Sequence, residues 1–230
     1  MNLHHDKDAF EELLIGAANE LAIPTNIIEK DYYVTIALKS LSEKLNDMVF
    51  KGGTSLTKCY QLLDRFSEDI DISYTAEAGV PGEARKRKLK KAVVATMEEL
   101  KFPITNIEDT RSRRHYNCYR AAYPSIYDQS GILKPELVVE TYVALLPFPT
   151  TKQMVDNYIY RFLKKINRLD LAETYNLMPF AITTQTIERT LVDKVFALCD
   201  YYMQGETERH SRHLYLSLIH ISEPTRLDVI

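Results

Sequence analysis

The chain has 230 residues, 45% of them hydrophobic and 27% charged, with a formal net charge of −3. That length suits one large domain or two small ones with a buried core. The charge excludes a polycationic protein, so any nucleic-acid contact has to come from a local basic patch.

Asp8 to Leu21 carries apolar residues at Phe10, Leu13, Leu14, Ala17, Ala18 and Leu21. Those steps of three and four predict an amphipathic helix. Pro24-Thr25-Asn26 opens a second helix that runs to about Leu41. Met48 to Lys51 reads as a short strand stopped by Gly52-Gly53, Ser55 to Leu63 as a helix, and Phe66 to Tyr74 as a strand. A turn at Gly79-Val80-Pro81-Gly82 leads into a long helix, Glu83 to Leu100, ended by Pro103. Tyr116 to Tyr123 and Leu137 to Leu146 read as strands, and the stretch from about Thr151 to Tyr215 as mostly helical. The fold class expected is α+β, with a catalytic core and helical preface over residues 1–150 and a helical part over 151–215.

The opening Met1-Asn2-Leu3-His4-His5-Asp6 lacks the apolar stretch of a signal peptide. No run of about 20 apolar residues is present to span a membrane. The three cysteines, Cys59, Cys118 and Cys199, form no C-x-x-C pair. A cytoplasmic protein without a disulfide framework or structural zinc is expected. Residues 216–230 stand apart: Leu216-Ser217-Leu218-Ile219-His220-Ile221-Ser222-Glu223-Pro224-Thr225-Arg226 resembles the translation of a sequencing-library adapter. The expectation is a non-native tail on a natural chain that continues past Tyr215, and such a segment is set aside from fold reasoning.

Two blocks carry chemistry. In Val49-Phe50-Lys51-Gly52-Gly53-Thr54-Ser55-Leu56 a strand runs into paired glycines and then a helix. Glycines let backbone N–H groups approach phosphate oxygens, the helix N-terminus favours negative charge, and Thr54 and Ser55 add hydroxyls. By itself such a turn is more often a tight connection. The second block, Ser67-Glu68-Asp69-Ile70-Asp71-Ile72-Ser73, puts Ser67, Asp69, Asp71 and Ser73 on one side of a strand and Ile70 and Ile72 on the other. Neighbouring carboxylates repel unless a cation lies between them, and hard oxygen ligands suit Mg²⁺ or Mn²⁺. Closely spaced acids can bridge two metals roughly 3.5–4 Å apart in phosphoryl transfer.

Together, Gly52-Gly53-Thr54-Ser55-Leu56 and Arg65-Phe66-Ser67-Glu68-Asp69-Ile70-Asp71 resemble the signature of the DNA-polymerase-β-like nucleotidyltransferases. More narrowly they resemble the AbiEii/AbiGii-type toxins of bacterial toxin–antitoxin and abortive-infection systems. Lys30-Asp31-Tyr32-Tyr33-Val34 resembles that group's N-terminal helix, and Glu188-Arg189-Thr190-Leu191-Val192-Asp193-Lys194 its C-terminal motif helix. The resemblance implies a mixed sheet flanked by helices, Asp69 and Asp71 as metal ligands, and Gly52, Gly53, Thr54, Ser55 and Ser67 around the phosphates of an NTP. It also implies a third carboxylate on a later strand, for which Glu140 is the candidate; read alone, Glu140 is equally an edge-strand acid facing water. Lys194 sits on the apolar stripe of its helix, so its ammonium either reaches solvent or enters a polar cleft. The resemblance favours contact with the triphosphate. The group's motif continues after Arg212-His213-Leu214-Tyr215 with an aspartate, where this chain has Leu216.

For the acceptor, Arg111, Arg113, Arg114 and Arg120 are interleaved with His115, Tyr116 and Tyr119, a mixture that can bind phosphates and stack on bases. The run Arg85-Lys86-Arg87-Lys88-Leu89-Lys90-Lys91 reads as a solvated helix face. The resemblance implies tRNA as a possible acceptor and an antitoxin partner. Small-molecule or protein nucleotidyl transfer, and a silent nucleotide-binding module, are the alternatives. The pairs His4-His5 and His210-x-x-His213 read as surface residues, and Tyr32-Tyr33 and Tyr201-Tyr202 as packing.

Overall fold

In the computed structural model the residues described are 1–62, 67–74, 82–111, 114–127, 134–143 and 148–205. Arg113, the pair at His210 and His213, and the stretch 216–230 lie outside them.

A short 3-10 turn, Leu3–His5, leads into α1 (Lys7–Leu21), whose N-cap Asp6 accepts a hydrogen bond from the Ala9 N–H. Such a cap satisfies one of the donors a helix start leaves open. Next come α2 (Thr25–Lys44), β1 (Met48–Lys51), α3 (Gly52–Lys58), β2 (Ile70–Tyr74) and α4 (Gly82–Leu100). The chain continues through β3 (Tyr116–Ala122), β4 (Glu136–Tyr142) and β5 (Thr150–Val155). It then runs through α5 (Tyr158–Lys165), α6 (Leu169–Thr174), β6 (Phe180–Gln185) and α7 (Ile187–Met203).

The six strands form one sheet in the order β3-β4-β2-β1-β6-β5. Two pairings, β2 with β4 and β1 with β6, are parallel, and the other three are antiparallel. The architecture is α+β, a mixed open sheet flanked by helices. The expectation of a mostly helical stretch after Thr151 is corrected by β5 and β6, which extend the sheet beyond β1. Thr150-Thr151-Lys152-Gln153-Met154-Val155 has the alternating exposure of an edge strand, and little in its polar composition announces it. α3 begins at Gly52 rather than Ser55, and Asp69 lies just ahead of β2 rather than inside it.

Strand alternation divides the sheet faces. Ile70, Ile72, Phe50, Val139, Leu137, Tyr119 and Ala121 turn into the main core with α1, α2, α4 and α5. α2 is the hub, with Tyr32 and Tyr33 fully buried against Phe10, Phe102 and Tyr123. His4 also belongs to this aromatic cluster, which corrects its reading as a surface residue: its Nδ1 lies 2.8 Å from the Tyr32 hydroxyl. Burial, with a smaller contribution from His5, holds its pKa down to about 4.

Three consecutive charged residues of α2 are buried, and each ties down a different segment. Glu29 accepts from the Ser125 hydroxyl and the Ile126 N–H. Lys30 pairs with Glu68, next to Asp69, and donates to the Lys134 carbonyl. Asp31 pairs with Lys58 at the end of α3 and accepts from the Tyr158 N–H. Buried charges persist where partners of this kind satisfy them.

Candidate active site

Pairing register assembles the site. Lys51 on β1 faces Asp71 on β2, Asp71 faces Glu140 on β4, and Glu140 faces Cys118 on β3. Four side chains from four strands thus form one row across the face opposite the main core. Glu140 therefore stands beside Asp71 rather than at a free sheet edge. Burial and then the Glu140 charge push Asp71 up to about 7. Lys51 and Lys194 act in the opposite direction, which places the ammonium of Lys194, on α7, in the same electrostatic neighbourhood.

Gly52 explains the glycine pair. Its φ is +78°, and a Cβ there would lie 2.0 Å from Asp71 Oδ2 and 2.8 Å from Cγ. The turn has to be a glycine for two reasons, the left-handed backbone and the space that the carboxylate occupies. Gly52→Ala should displace the Asp71 carboxylate and reduce nucleotidyl transfer about 100-fold, the order of loss that a 1 Å misplacement produces. Steady-state rates near wild type for this variant would refute the close approach.

The hydroxyls of the loop are committed inward. Ser55 Oγ donates to the Gly52 carbonyl at 2.8 Å, and Thr54 Oγ1 shares a hydrogen bond of 2.9 Å with Ser67 Oγ. Thr54 and Ser55 are fully buried. They knit the glycine turn to the segment before β2, and Gly53 lies in the first turn of α3, where N–H groups have no partner within the helix. Asp69 lies within electrostatic reach of Cys118 and Arg120, along the sheet from Asp71.

Lys51 is the residue that sequence reasoning missed. Burial lowers its pKa against the opposing pull of Asp71, Asp193 and Glu140, and its Nζ sits 3.8 Å from the centre of the Tyr142 ring. The available signal was a lysine ending an apolar strand immediately before the glycines. Asp193, next to Lys194, accepts from Gln185 Nε2 at 2.7 Å and from Arg189 Nε at 2.8 Å. These bonds fix the N-terminal half of α7 against the end of β6.

The acceptor candidates are less convergent. Arg120 pairs with Glu136 at 2.6 Å, Arg114 donates to the Asp109 carbonyl, and Arg111 is exposed. The basic helix α4 approaches them: Lys86 Nζ lies 3.4 Å from His115 Nε2, and Lys90 donates to the Thr110 carbonyl. α4 therefore adjoins Thr110 and His115, next to Tyr116. Lys86 and Lys90 of α4 are thus engaged with His115 and Thr110, a departure from a purely solvated face.

Among the described residues no three His, Cys, Asp or Glu side chains converge as a ready-made metal cage. A pair of carboxylates still matches Mg²⁺, which usually takes one or two carboxylates and fills the rest of its shell with water and substrate phosphates. Cys59, Cys118 and Cys199 are all free. No helix among the described residues is long and apolar enough to cross a membrane.

No curated protein matches the chain. The family model described as nucleotidyl transferase AbiEii toxin, type IV TA system, matches residues 36–215, a span that contains the glycine turn, both carboxylate strands and α7. The chain therefore belongs to the AbiEii nucleotidyltransferase toxin family of type IV toxin–antitoxin systems.

Proposed function

We propose that the chain transfers a nucleoside monophosphate from an NTP to an acceptor hydroxyl, with release of pyrophosphate, and that the acceptor is RNA of the tRNA class. The observation that carries this reading is the row Lys51–Asp71–Glu140 directly beside the Gly52 turn. Asp71 and Glu140, with Asp69 flanking them, would hold Mg²⁺ or Mn²⁺. When bound, the ion lowers the pKa of an attacking hydroxyl and offsets charge developing on the phosphates.

The chain's own residues bind and orient. First-turn N–H groups of α3, together with the ammonium groups of Lys51 and Lys194, would take the NTP phosphates. Gly52 keeps the turn close against Asp71. The cations of α4, with Arg111 and Arg114 and the exposed ring of Tyr116, suit a polyanionic acceptor with bases to stack. A small-molecule transferase would call for an acidic acceptor pocket, which this basic surface disfavours. Membership of a toxin–antitoxin family implies a cognate antitoxin.

The test is a transfer assay with each labelled NTP, Mg²⁺ and total bacterial RNA. Label in a tRNA-sized band, lost in Asp71→Asn, is the expected result. Label only in protein or small molecules would overturn the acceptor assignment.

A pH dependence follows from Asp71. Its folded pKa of about 7 lies above the ordinary 3.8. The native state therefore binds more protons between those values, and this contribution to stability is present below about pH 4 and lost as pH rises through 7. A cation bound to the ionised pair offsets that loss. Mg²⁺ should raise the melting temperature more at pH 8 than at pH 6, as scanning calorimetry would read. An equal rise at both pH values would contradict a cation on Asp71.

A further inference from the structure

Both oxygens of Glu140 are engaged by phenol hydroxyls: Tyr116 donates to Oε1 and Tyr142 to Oε2, each at 2.9 Å. The sheet itself produces this arrangement. Tyr116 faces Tyr142 across β3 and β4, while Cys118 faces Glu140 two residues along. Residues two apart on a strand share a side, so both phenols and the carboxylate emerge together. The two rings lie 5.0 Å apart, tilted by 46°. Tyr142 additionally presents its ring face to the Lys51 ammonium.

An ionised carboxylate offers about two lone-pair directions on each oxygen. Accepting one phenol proton at each oxygen leaves lone-pair capacity towards Asp71, and removes the rotation that a glutamate on a bare strand would keep. The orientation held is the one in which Glu140 meets Asp71. We infer that Tyr116 and Tyr142 are positioning residues, whose hydroxyls clasp Glu140 in the orientation where it and Asp71 receive a divalent cation. This rests on the carboxylate site proposed above. Tyr142 carries the larger share: it is half-buried between Glu140 and Lys51, whereas Tyr116 is 43% exposed and its hydroxyl competes with water.

The experiment is Mn²⁺ binding to the full 230-residue chain, with free Mn²⁺ followed by electron paramagnetic resonance. Tyr116→Phe and Tyr142→Phe each remove one oxygen and keep the ring, so folding and the Lys51 contact are preserved, which melting temperatures check. Loss of a group that orients a metal ligand typically weakens metal affinity about 10- to 100-fold. Tyr142→Phe should weaken Mn²⁺ binding about tenfold, Tyr116→Phe less, and the Mg²⁺ concentration for half-maximal transfer should rise in parallel.

A role through Glu140 also predicts non-additivity. In a Glu140→Gln background, Mn²⁺ binding is weaker from the outset and neither phenylalanine substitution weakens it further. Wild-type Mn²⁺ affinity in both phenylalanine variants would overturn the clasp, as would an unchanged fall in the Glu140→Gln background. Equal Mn²⁺ binding by wild type and Asp71→Asn is a separate result: it would overturn the carboxylate site itself, and the clasp with it.

Discussion

Asp71→Asn is expected to cut nucleotidyl transfer by about 10²–10³-fold while leaving the protein at least as heat-stable as wild type. The substitution keeps shape and removes a charge that the fold disfavours, since burial and Glu140 raise the Asp71 pKa to about 7. Without the carboxylate the cation that would offset transition-state charge is held less well, and a rise on the order of 3–4 kcal/mol in the barrier is a fall of about 10²–10³-fold in rate. At pH 8 without divalent cation, the variant should melt a few degrees above wild type, because the penalty for ionising Asp71 is gone. The gap should close towards pH 4, where both proteins are neutral at this position. Asp69→Asn should also lose transfer, by its place just ahead of β2 and near Asp71. Activity within a few-fold of wild type in Asp71→Asn, or a clear drop in its melting temperature at pH 8, would sink the assignment.

The largest effect on stability is expected from Asp31→Ala. Lys58 and Asp31 form a pair at 2.6 Å with both side chains almost wholly excluded from water, and Lys58 also donates to Thr35 Oγ1 at 2.7 Å. Removing the carboxylate strands an ammonium in the interior and takes away the acceptor of the Tyr158 N–H. Breaking one side of a buried pair typically destabilises by about 3–5 kcal/mol. For a chain of this size that is a fall of about 10 °C in melting temperature. The double variant Asp31→Leu/Lys58→Met should regain much of the loss, because no charge then remains buried. Calorimetry on the two variants decides it, and a melting temperature within a degree of wild type for Asp31→Ala would show that Lys58 finds water or another partner.

Because Asp31 ties α3 to α2 and to the start of α5, these two experiments separate chemistry from scaffold. Loss of activity in Asp71→Asn should come with an intact fold. In Asp31→Ala it should track unfolding and return when the temperature is lowered.

Much of the molecule was legible in the chain itself. The apolar spacing of α1, the turn and proline that bound α4, the short strand before the glycines and the alternation around Asp71 identified most helices and strands of the N-terminal two-thirds, because these are local properties. The proximity of the glycine turn to the Asp69-Ile70-Asp71 block was also readable, since only a short helix and loop separate them. β5 was not: its residues are mostly polar, and an edge strand is defined by the neighbour it pairs with rather than by its own pattern. Lys194 was placed on the correct helix, but its closeness to Asp71 depends on how α7 packs against the end of the sheet.

What the sequence by itself determined is the α+β class, the glycine turn, the aspartate pair and the membership that these blocks share with a toxin family. The tertiary structure alone decided that Glu140 stands beside Asp71, that Lys51 completes the row, and that Tyr116 and Tyr142 hold the glutamate. The physical reason is strand register. Pairing β2 with β4 joins residues about 70 positions apart, and the free energy that selects this register is burial of the opposite face, so residues on the chemical face are brought together by a core they do not enter.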